Sequence, residues 1–232
     1  KRDIYTSVLF GGMVVTLFLT GSRGSLGASV IGCGYVLWKA KGIDKNTILI
    51  ALVGAVALGV YSLQGTIISV ILRPEQLETA SGRFLIWELF WDYIRNRPFL
   101  GHGWGTEDLL HRHYGTNLQR LGVRGVYAGS SYIGFSAQVG LIGAGLFFAP
   151  LLWLSGRTAM IPRGQSVRIH ALNAVLIVGL TTATVESWMS SLGNAQALLF
   201  WIPVMLLVRR HVLAHRASAE ARRTQAASVH GT

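Results

Sequence analysis

Two arginines occupy positions at which chemistry on a phosphate-bearing substrate would need a cation. Arg23 lies in a short connection between two apolar segments, and Arg83 opens an aromatic segment that follows the third apolar stretch. A guanidinium at a membrane edge is costly unless it is paired or functional, and its rigid fork of donors suits phosphate. Each arginine also has a non-functional interpretation. The side chain of Arg23 only extends to the membrane interface, and Arg83 is only a solvated charge. The functional interpretation predicts an anion site.

Further arginines accompany Arg83 in a long polar insert that covers residues 73–128. They are Arg73, Arg95, Arg97, Arg112, Arg120 and Arg124. A basic surface of this kind suits a diphosphate-bearing lipid or an acidic polymer.

Four residues are candidates for a proton acceptor near these arginines. His102, His111 and His113 lie in the insert, and Glu186 ends the fifth apolar segment. A histidine titrates near neutral pH and can act as a general base, although an ordinary surface histidine is the simpler interpretation of each. Glu186 is either a functional carboxylate or a counter-ion for one of the arginines. The sequence contains no HExxH motif and no cysteine/histidine set, so we predict no metal and no cofactor.

An aromatic helix and a glycine-rich loop are predicted inside the insert. Over residues 83–94, apolar side chains recur with the spacing of one helix face, and Pro98 ends the helix. The residues predicted on this face are Phe84, Trp87, Trp91 and Ile94. The following loop alternates Gly101, Gly103 and Gly105 with His102 and Trp104. Glycines at these positions allow close backbone approach or a positive φ, and no strand–helix unit surrounds them as a dinucleotide site would require.

These polar residues are held by apolar segments. The chain is 51% hydrophobic and 13% charged, whereas roughly a quarter of the residues in a soluble domain are charged. Apolar segments are predicted at about 4–19, 25–38, 47–72, 131–154, 169–185 and 195–213, with lengths that suit membrane crossing. The predicted fold is all-α: a polytopic helical membrane protein with about six transmembrane helices. A large external loop, 73–128, separates helices three and four.

The distribution of positive charge predicts the orientation. Of the 21 lysines and arginines, 13 fall on the side of the termini, and seven of the other eight lie in the long insert. Short loops decide orientation, so we predict cytoplasmic termini, with Arg23, the insert and Glu186 outside. The membrane domain would cover residues 1–216, and 217–232 would form a disordered cytoplasmic tail. Orientation explains most of the net charge of +11, so nucleic acid is not a predicted partner, and the single Cys33 leaves no disulfide or zinc framework.

Three separated stretches resemble the O-antigen polymerase and ligase superfamily of bacterial membrane glycosyltransferases. Residues 19–24 resemble its T-x-S-R-G junction between helices. Arg83, Trp87 and residues 98–105 resemble its R…W…P-x-x-G-x-G-x-G loop, and 132–143 resembles its H-N-x-Y-L…G-L-I-G helix start. The resemblance covers about residues 20–148, with the same order and spacing and with all three stretches on one side of the membrane.

The resemblance implies an active face at the outer side of the bacterial inner membrane. The substrate would be a glycan linked to undecaprenyl diphosphate, and membrane lipid and other polysaccharide-assembly proteins are candidate partners. The implied reaction is inverting, metal-independent and cofactor-free. An acceptor hydroxyl attacks the anomeric carbon, and arginines stabilise the departing diphosphate. The candidate catalytic residues are Arg23, Arg83, His102 and Glu186. The candidate substrate-binding residues are Arg73, Trp87, Gly101, Gly103, Trp104, Gly105, His111, His113, Arg124, Ser130 and Tyr132.

The sequence departs from the family at one position. Gly129 stands where the family motif has its histidine, followed by Ser130 and Ser131, so the general base stays open among the three histidines and Glu186. Three functions therefore remain. They are polymerisation of lipid-linked units into exopolysaccharide or O-antigen, ligation of O-antigen to lipid A core, and a non-catalytic subunit that binds glycan or lipid. The family's usual size also predicts that this chain is the C-terminal half of a longer protein.

Overall fold

The computed structural model describes residues 23–40, 86–106, 112, 128–164, 166–189 and 194–230. Their helices are α1 (Arg23–Lys39), α2 (86–96), α3 (Ser131–Ala159), α4 (Val167–Thr182) and α5 (Ala195–His230). The described part of the chain contains no strand, in agreement with an all-α fold. The first and third predicted apolar segments, and the insert apart from residues 86–106, 112 and 128, lie outside the described residues.

Two of these helices are long and apolar enough to cross a membrane. They are α3, with 29 residues, and α5 over Ala195–Gln225. Less than a third of the most apolar window of each is buried, so large side chains such as Leu146, Trp153 and Leu198 face outward. An exposed apolar surface of this kind is typical of a helix that contacts lipid. Helix α4 is apolar but has only 16 residues, and the number of six crossings stays a prediction.

Helix α5 continues beyond its apolar part. The sequence predicts an apolar end near residue 213 and a disordered tail from 217, whereas the helix runs to His230. Residues 214–230 include several alanines and arginines and neither glycine nor proline. Alanine and arginine have high helix propensity, so this small, polar composition also suits a helix. The boundary of the membrane domain at 216 stays a prediction.

Small residues allow α1 to lie close along α4. A side chain added to Gly32 would collide with Val178 and would lie 3.5 Å from the carbonyl oxygen of Ala174. Gly179 of α4 similarly leaves space for the ring of Phe200 in α5. Where lipid surrounds the helices, such close packing of small residues is a main source of helix association.

The main core lies between α3, α4 and α5. Leu176 and Leu207 are completely buried there. Trp188, from the connection after α4, meets the ring of Phe200 with their centroids 5.2 Å apart. The end of α4 is therefore anchored in the core together with the residues that follow it.

Helix α2 packs on the start of α3 with a different face from the predicted one. The cluster between them consists of Ile86, Phe90, Ile94, Ala128 and Ala137. The predicted face is divided between two environments, since Ile94 is buried and Trp91 is 50% exposed. The buried residues Ile86, Phe90 and Ile94 are four apart and form one ridge of the helix. Trp87 and Trp91 each follow a buried residue in the sequence and lie on the adjoining ridge. The helix ends at Asn96, two residues before Pro98, as proline at this position predicts.

Candidate functional site

Helix α3 is broken at Gly140. This residue has φ 74° and ψ 175°, although the turns on both sides of it are helical. A break leaves the last carbonyls of the first half and the first N–H groups of the second half without helical partners. Such groups must be paired when they are buried.

The partners come from a loop of the insert, residues 97–105, which we name the glycine loop. Four hydrogen bonds join it to the break: Leu141 N–H to the Pro98 carbonyl (2.7 Å), His102 N–H to the Ala137 carbonyl (3.0 Å), Gly103 N–H to the Gln138 carbonyl (2.9 Å), and Gly105 N–H to Oε1 of Gln138 (3.0 Å). The loop thus takes the place of a missing helical turn. Gln138, a buried polar residue in an apolar segment, accepts from the loop with both its backbone and its side chain.

Two glycines are required where the backbones meet. Gly101 has φ 68°, and a Cβ there would lie 2.5 Å from the nitrogen of Gly140. A Cβ on Gly140 would collide with the Phe99 carbonyl and lie 2.6 Å from the nitrogen of Leu100. Gly103 also has a positive φ, 100°, but a Cβ there would meet nothing within 4 Å. The prediction that Gly101, Gly103 and Gly105 allow close approach or a positive φ is confirmed, since all three have a positive φ and Gly101 also approaches α3 closely.

His102 lies between the glycine loop and α2. Its Nε2 is 2.8 Å from the carbonyl oxygen of Tyr93, and the two rings have their centroids 4.6 Å apart. A carbonyl only accepts, so Nε2 must carry the proton in this bond. The neutral ring then has its acceptor lone pair on Nδ1. If His102 is the general base, it accepts the proton at Nδ1.

The two tryptophans predicted to bind substrate take different positions. Trp87 donates from Nε1 to the carbonyl of Ala128 at 2.6 Å, which joins α2 to the residues just before α3. Trp104 is 64% exposed and meets Phe135 edge-on, with centroids 6.1 Å apart. Trp104 therefore presents ring surface outside the packed core, whereas Trp87 has a clear structural role.

The first residues of α3 are fixed to the end of α4. Gly129 has φ 59°, a left-handed conformation that favours glycine. Ser130 caps α3, since its hydroxyl accepts from the N–H of Ile133. The hydroxyl of Tyr132 donates to the Leu180 carbonyl at 2.9 Å. Ser130 and Tyr132 thus hold the helix start in place.

Ser131, which is not among the predicted site residues, makes the most bonds at this junction. Its N–H donates to the carbonyls of Ala183 (2.8 Å) and Glu186 (3.1 Å), and its hydroxyl donates to the Glu186 carbonyl at 2.7 Å. The same hydroxyl accepts from the N–H of Trp188 at 3.1 Å. Ser131 therefore sets the path of the chain that carries Glu186.

We expect Ser131→Ala to lower the free energy of unfolding by about 1–3 kcal/mol, because it leaves the buried Trp188 N–H unpaired. Unfolding of the purified protein in detergent measures the change. Ser218→Ala is the matched control, since this exposed serine of α5 bonds only within its own helix. An equal loss of stability in both variants would contradict the assigned role of Ser131.

Arg23 is brought to the same end of the fold by α1. The helix begins at Arg23, and the next residue, Gly24, lies against Val185, which precedes Glu186. The backbone of Arg23, the Glu186 turn and the start of α3 therefore lie together. The remaining candidates lie outside the described residues, so their positions stay predictions: Arg73, Arg83, His111, His113 and Arg124.

A cavity of about 190 Å³ lies between α1, α4 and α5 beside this end. Ser25, Ser29 and Thr182 line it, together with Trp188. The Nε1 of Trp188 is buried and has no hydrogen-bond partner in the described part of the chain. The described residues contain no group of three histidine, cysteine, aspartate or glutamate side chains suited to a metal ion.

Comparison with known families decides how this arrangement is classified. The sequence matches a family model described as O-antigen ligase over residues 8–148, which is more than half of the chain. The chain belongs to the O-antigen ligase family. No curated protein and no solved structure matches it.

Membership of the O-antigen ligase family makes this a membrane protein with a glycan-related function. The matched range contains α1, α2, the glycine loop and the first part of α3, and it ends at Phe148. The elements that meet at the helix break thus lie inside the family match. Helices α4 and α5 and the Glu186 turn lie outside it.

Proposed function

We propose that the protein polymerises oligosaccharide units linked to undecaprenyl diphosphate, at the outer face of the bacterial inner membrane. The observation that carries this proposal is a set of contacts between segments far apart in the sequence. The start of α1 lies against the Glu186 turn, the Glu186 turn is bonded to the start of α3, and the glycine loop is bonded to the break in the same helix. The family match supports the same class of substrate.

Arg23 and Arg83 are the proposed ligands of the diphosphate. Arg23 is the first residue of α1, and the N-terminal end of a helix carries a partial positive charge that favours an anion. Guanidinium groups placed where negative charge develops stabilise the transition state more than the ground state. The bond from the anomeric carbon to the diphosphate oxygen breaks, and undecaprenyl diphosphate leaves with the bonding electron pair.

The acceptor sugar supplies the attacking hydroxyl, which loses its proton as the new glycosidic bond forms. Because Gly129 has no side chain to accept this proton, we assign it either to Nδ1 of His102 or to the carboxylate of Glu186. The exposed ring of Trp104 is the proposed stacking surface for a sugar, beside a loop fixed to α3 by four hydrogen bonds.

The test is turnover by the purified full-length protein. Incubation with an undecaprenyl-diphosphate oligosaccharide should produce chains of two or more units and release one undecaprenyl diphosphate for each bond formed. Mass spectrometry of the lipid and the glycan measures both products. Release without glycan extension, or no turnover of any lipid-linked unit presented, would contradict polymerisation.

A second candidate is the ligase reaction, which the description of the matched family favours. In this case lipid A core is the acceptor, and a deletion strain should accumulate polymer that is not attached to lipid A. Normal attachment in that strain, together with loss of long chains, supports the polymerase. A non-catalytic subunit that binds lipid-linked glycan would bind the substrate in the same assay without releasing undecaprenyl diphosphate.

A further inference from the structure

The helix ends opposite the candidate site carry a concentration of positive charge, which we name the basic cluster. It consists of Lys39 at the end of α1, Arg157 near the end of α3, Arg163 in the α3–α4 connection and Arg210 in α5. The ammonium of Lys39 bonds the carbonyl of Ala159, two residues after Arg157, and the hydroxyl of Thr158 lies 3.1 Å from Nε2 of His211, the neighbour of Arg210. Three helices and one connection therefore bring cations into the same region.

Lys39 is the most buried member of the cluster, with 6% of its surface exposed. Its ammonium donates to the carbonyl of Ala159, and to that of Ile161 at 3.2 Å. These bonds satisfy carbonyls at the end of α3, but within the described part of the chain they leave the positive charge of Lys39 without a negative partner. An ammonium has three donors, so a third remains for another acceptor.

Arg163 is placed beside Lys39 by an aromatic ring that both cations share. The guanidinium carbon of Arg163 lies 4.9 Å from the ring centroid of Trp38, and Nζ of Lys39 lies 4.7 Å from the same centroid. Arg157 lies 5.9 Å from the ring of Trp153. Both tryptophans are exposed, Trp38 by 44% and Trp153 by 61%. Cations beside exposed indole rings are typical of the boundary between the hydrocarbon and the headgroups of a membrane.

No acidic residue in the described part of the chain neutralises the cluster. Its carboxylates are Glu88, Asp92, Glu186 and Glu220. Glu88 and Asp92 belong to α2, and Glu186 lies at the other end of the helices. Glu220 is ten residues beyond Arg210 along a continuous helix, about 15 Å away. Like charges held this close repel one another, so the arrangement favours an anion from outside these residues.

Buried polar bonds hold the helices around the cluster in fixed positions. Asn173 of α4 donates to the hydroxyl of Tyr35 in α1 at 2.9 Å and to the carbonyl of Ser155 in α3 at 3.3 Å. The Tyr35 hydroxyl also lies 3.1 Å from Nδ1 of His170. Three helices are thus tied together one turn away from Lys39, which fixes the positions from which the cations project.

We propose that the basic cluster binds the headgroup of an anionic phospholipid. The phosphate accepts from Arg157, Arg163 and the remaining donor of Lys39, and the acyl chains lie against the exposed Trp153 and Met160. Basic pockets between helix ends on the cytoplasmic side are known to recognise anionic headgroups. The exposed apolar residues beside the cations select a lipid over a free anion. This proposal does not depend on the proposed function, because it concerns the other end of the helices.

Native mass spectrometry of the purified full-length protein with phosphatidylglycerol, or with phosphatidylcholine at the same concentration, tests the proposal. We expect phosphatidylglycerol to occupy the protein preferentially. Arg157→Gln and Arg163→Gln should each weaken its binding about fivefold, from about 1 kcal/mol for each basic residue near a charged surface. Arg216→Gln is the matched control, since this exposed arginine of α5 lies outside the cluster, and it should leave binding unchanged.

Three results would overturn the proposal. The first is equal occupancy by the anionic and the zwitterionic lipid. The second is displacement of phosphatidylglycerol by an equal concentration of inorganic phosphate, which would make the site a simple anion site. The third concerns Asp44, an acidic residue five positions after Lys39 in the sequence: binding only in an Asp44→Asn variant would show that the chain itself neutralises the cluster.

Discussion

We expect Arg23→Ala and Arg83→Ala, each made in the full-length protein, to abolish long polymer while the protein stays in the membrane. Removing one donor that stabilises developing negative charge typically slows an enzyme by about 10²–10³-fold, or about 2.7–4 kcal/mol. The chain-length distribution of the polymer on gels measures the effect, with the amount of protein in the membrane fraction measured in parallel. Arg→Lys at either position keeps the charge but loses the rigid fork, and should restore only part of the activity.

Arg95→Ala is the matched control for these variants. Arg95 lies in the same basic insert, but its side chain is 77% exposed and pairs with Asp92 at 3.4 Å. An exposed pair of this kind contributes little, so polymer length should be unchanged. Normal polymer in both the Arg23 and the Arg83 variants would contradict the proposed diphosphate site. A loss as large in Arg95→Ala would assign the effect to the overall charge of the insert.

The conformation of the glycine loop can be predicted from the sequence, but its contact with α3 cannot. Alternating glycines predict positive φ or close approach, and Gly101, Gly103 and Gly105 all have positive φ. The sequence does not predict what the loop approaches, because residues 131–154 read as one unbroken apolar helix. The break at Gly140 depends on bonds from residues about 40 positions earlier in the chain, and local periodicity contains no information on such contacts. Gln138 was the available signal, since a polar side chain inside an apolar segment needs a partner.

The packing of the aromatic helix and the contacts at the end of α4 are two other features that the sequence does not predict. Trp87, Trp91 and Ile94 fit one helix face about as well as Ile86, Phe90 and Ile94 do, and only the contact with Ala128 and Ala137 decides between them. The sequence contains no signal for the role of Ser131, because a second serine after an N-cap serine is common. Its importance comes from the Glu186 turn, more than 50 residues later. Sequence patterns thus predict individual candidate residues, but they do not predict the long-range backbone contacts around them.

Gly140→Ala and Gly101→Ala should release the glycine loop from α3. At each position a Cβ meets backbone atoms, and the positive φ adds about 1–2 kcal/mol for a residue with a side chain. Alanine at 140 also favours a continuous α3 whose own N–H and carbonyl groups replace those of the loop as backbone partners. The expected result is a protein that still inserts in the membrane but makes no long polymer. Hydrogen exchange of residues 98–106, followed by mass spectrometry, should be faster than in the wild type.

Gly103→Ala separates the two causes of this effect. Gly103 has the largest positive φ of the loop, 100°, yet a Cβ there would meet nothing within 4 Å. If the close backbone contact at the helix break matters most, Gly103→Ala should keep the loop docked and lose little polymer, whereas Gly140→Ala and Gly101→Ala lose nearly all of it. Gly145→Ala, at an open helical position of α3, should be neutral in both measurements. Equal exchange rates in the Gly103 and Gly140 variants would mean that backbone strain, and not the contact between loop and broken helix, holds the site together.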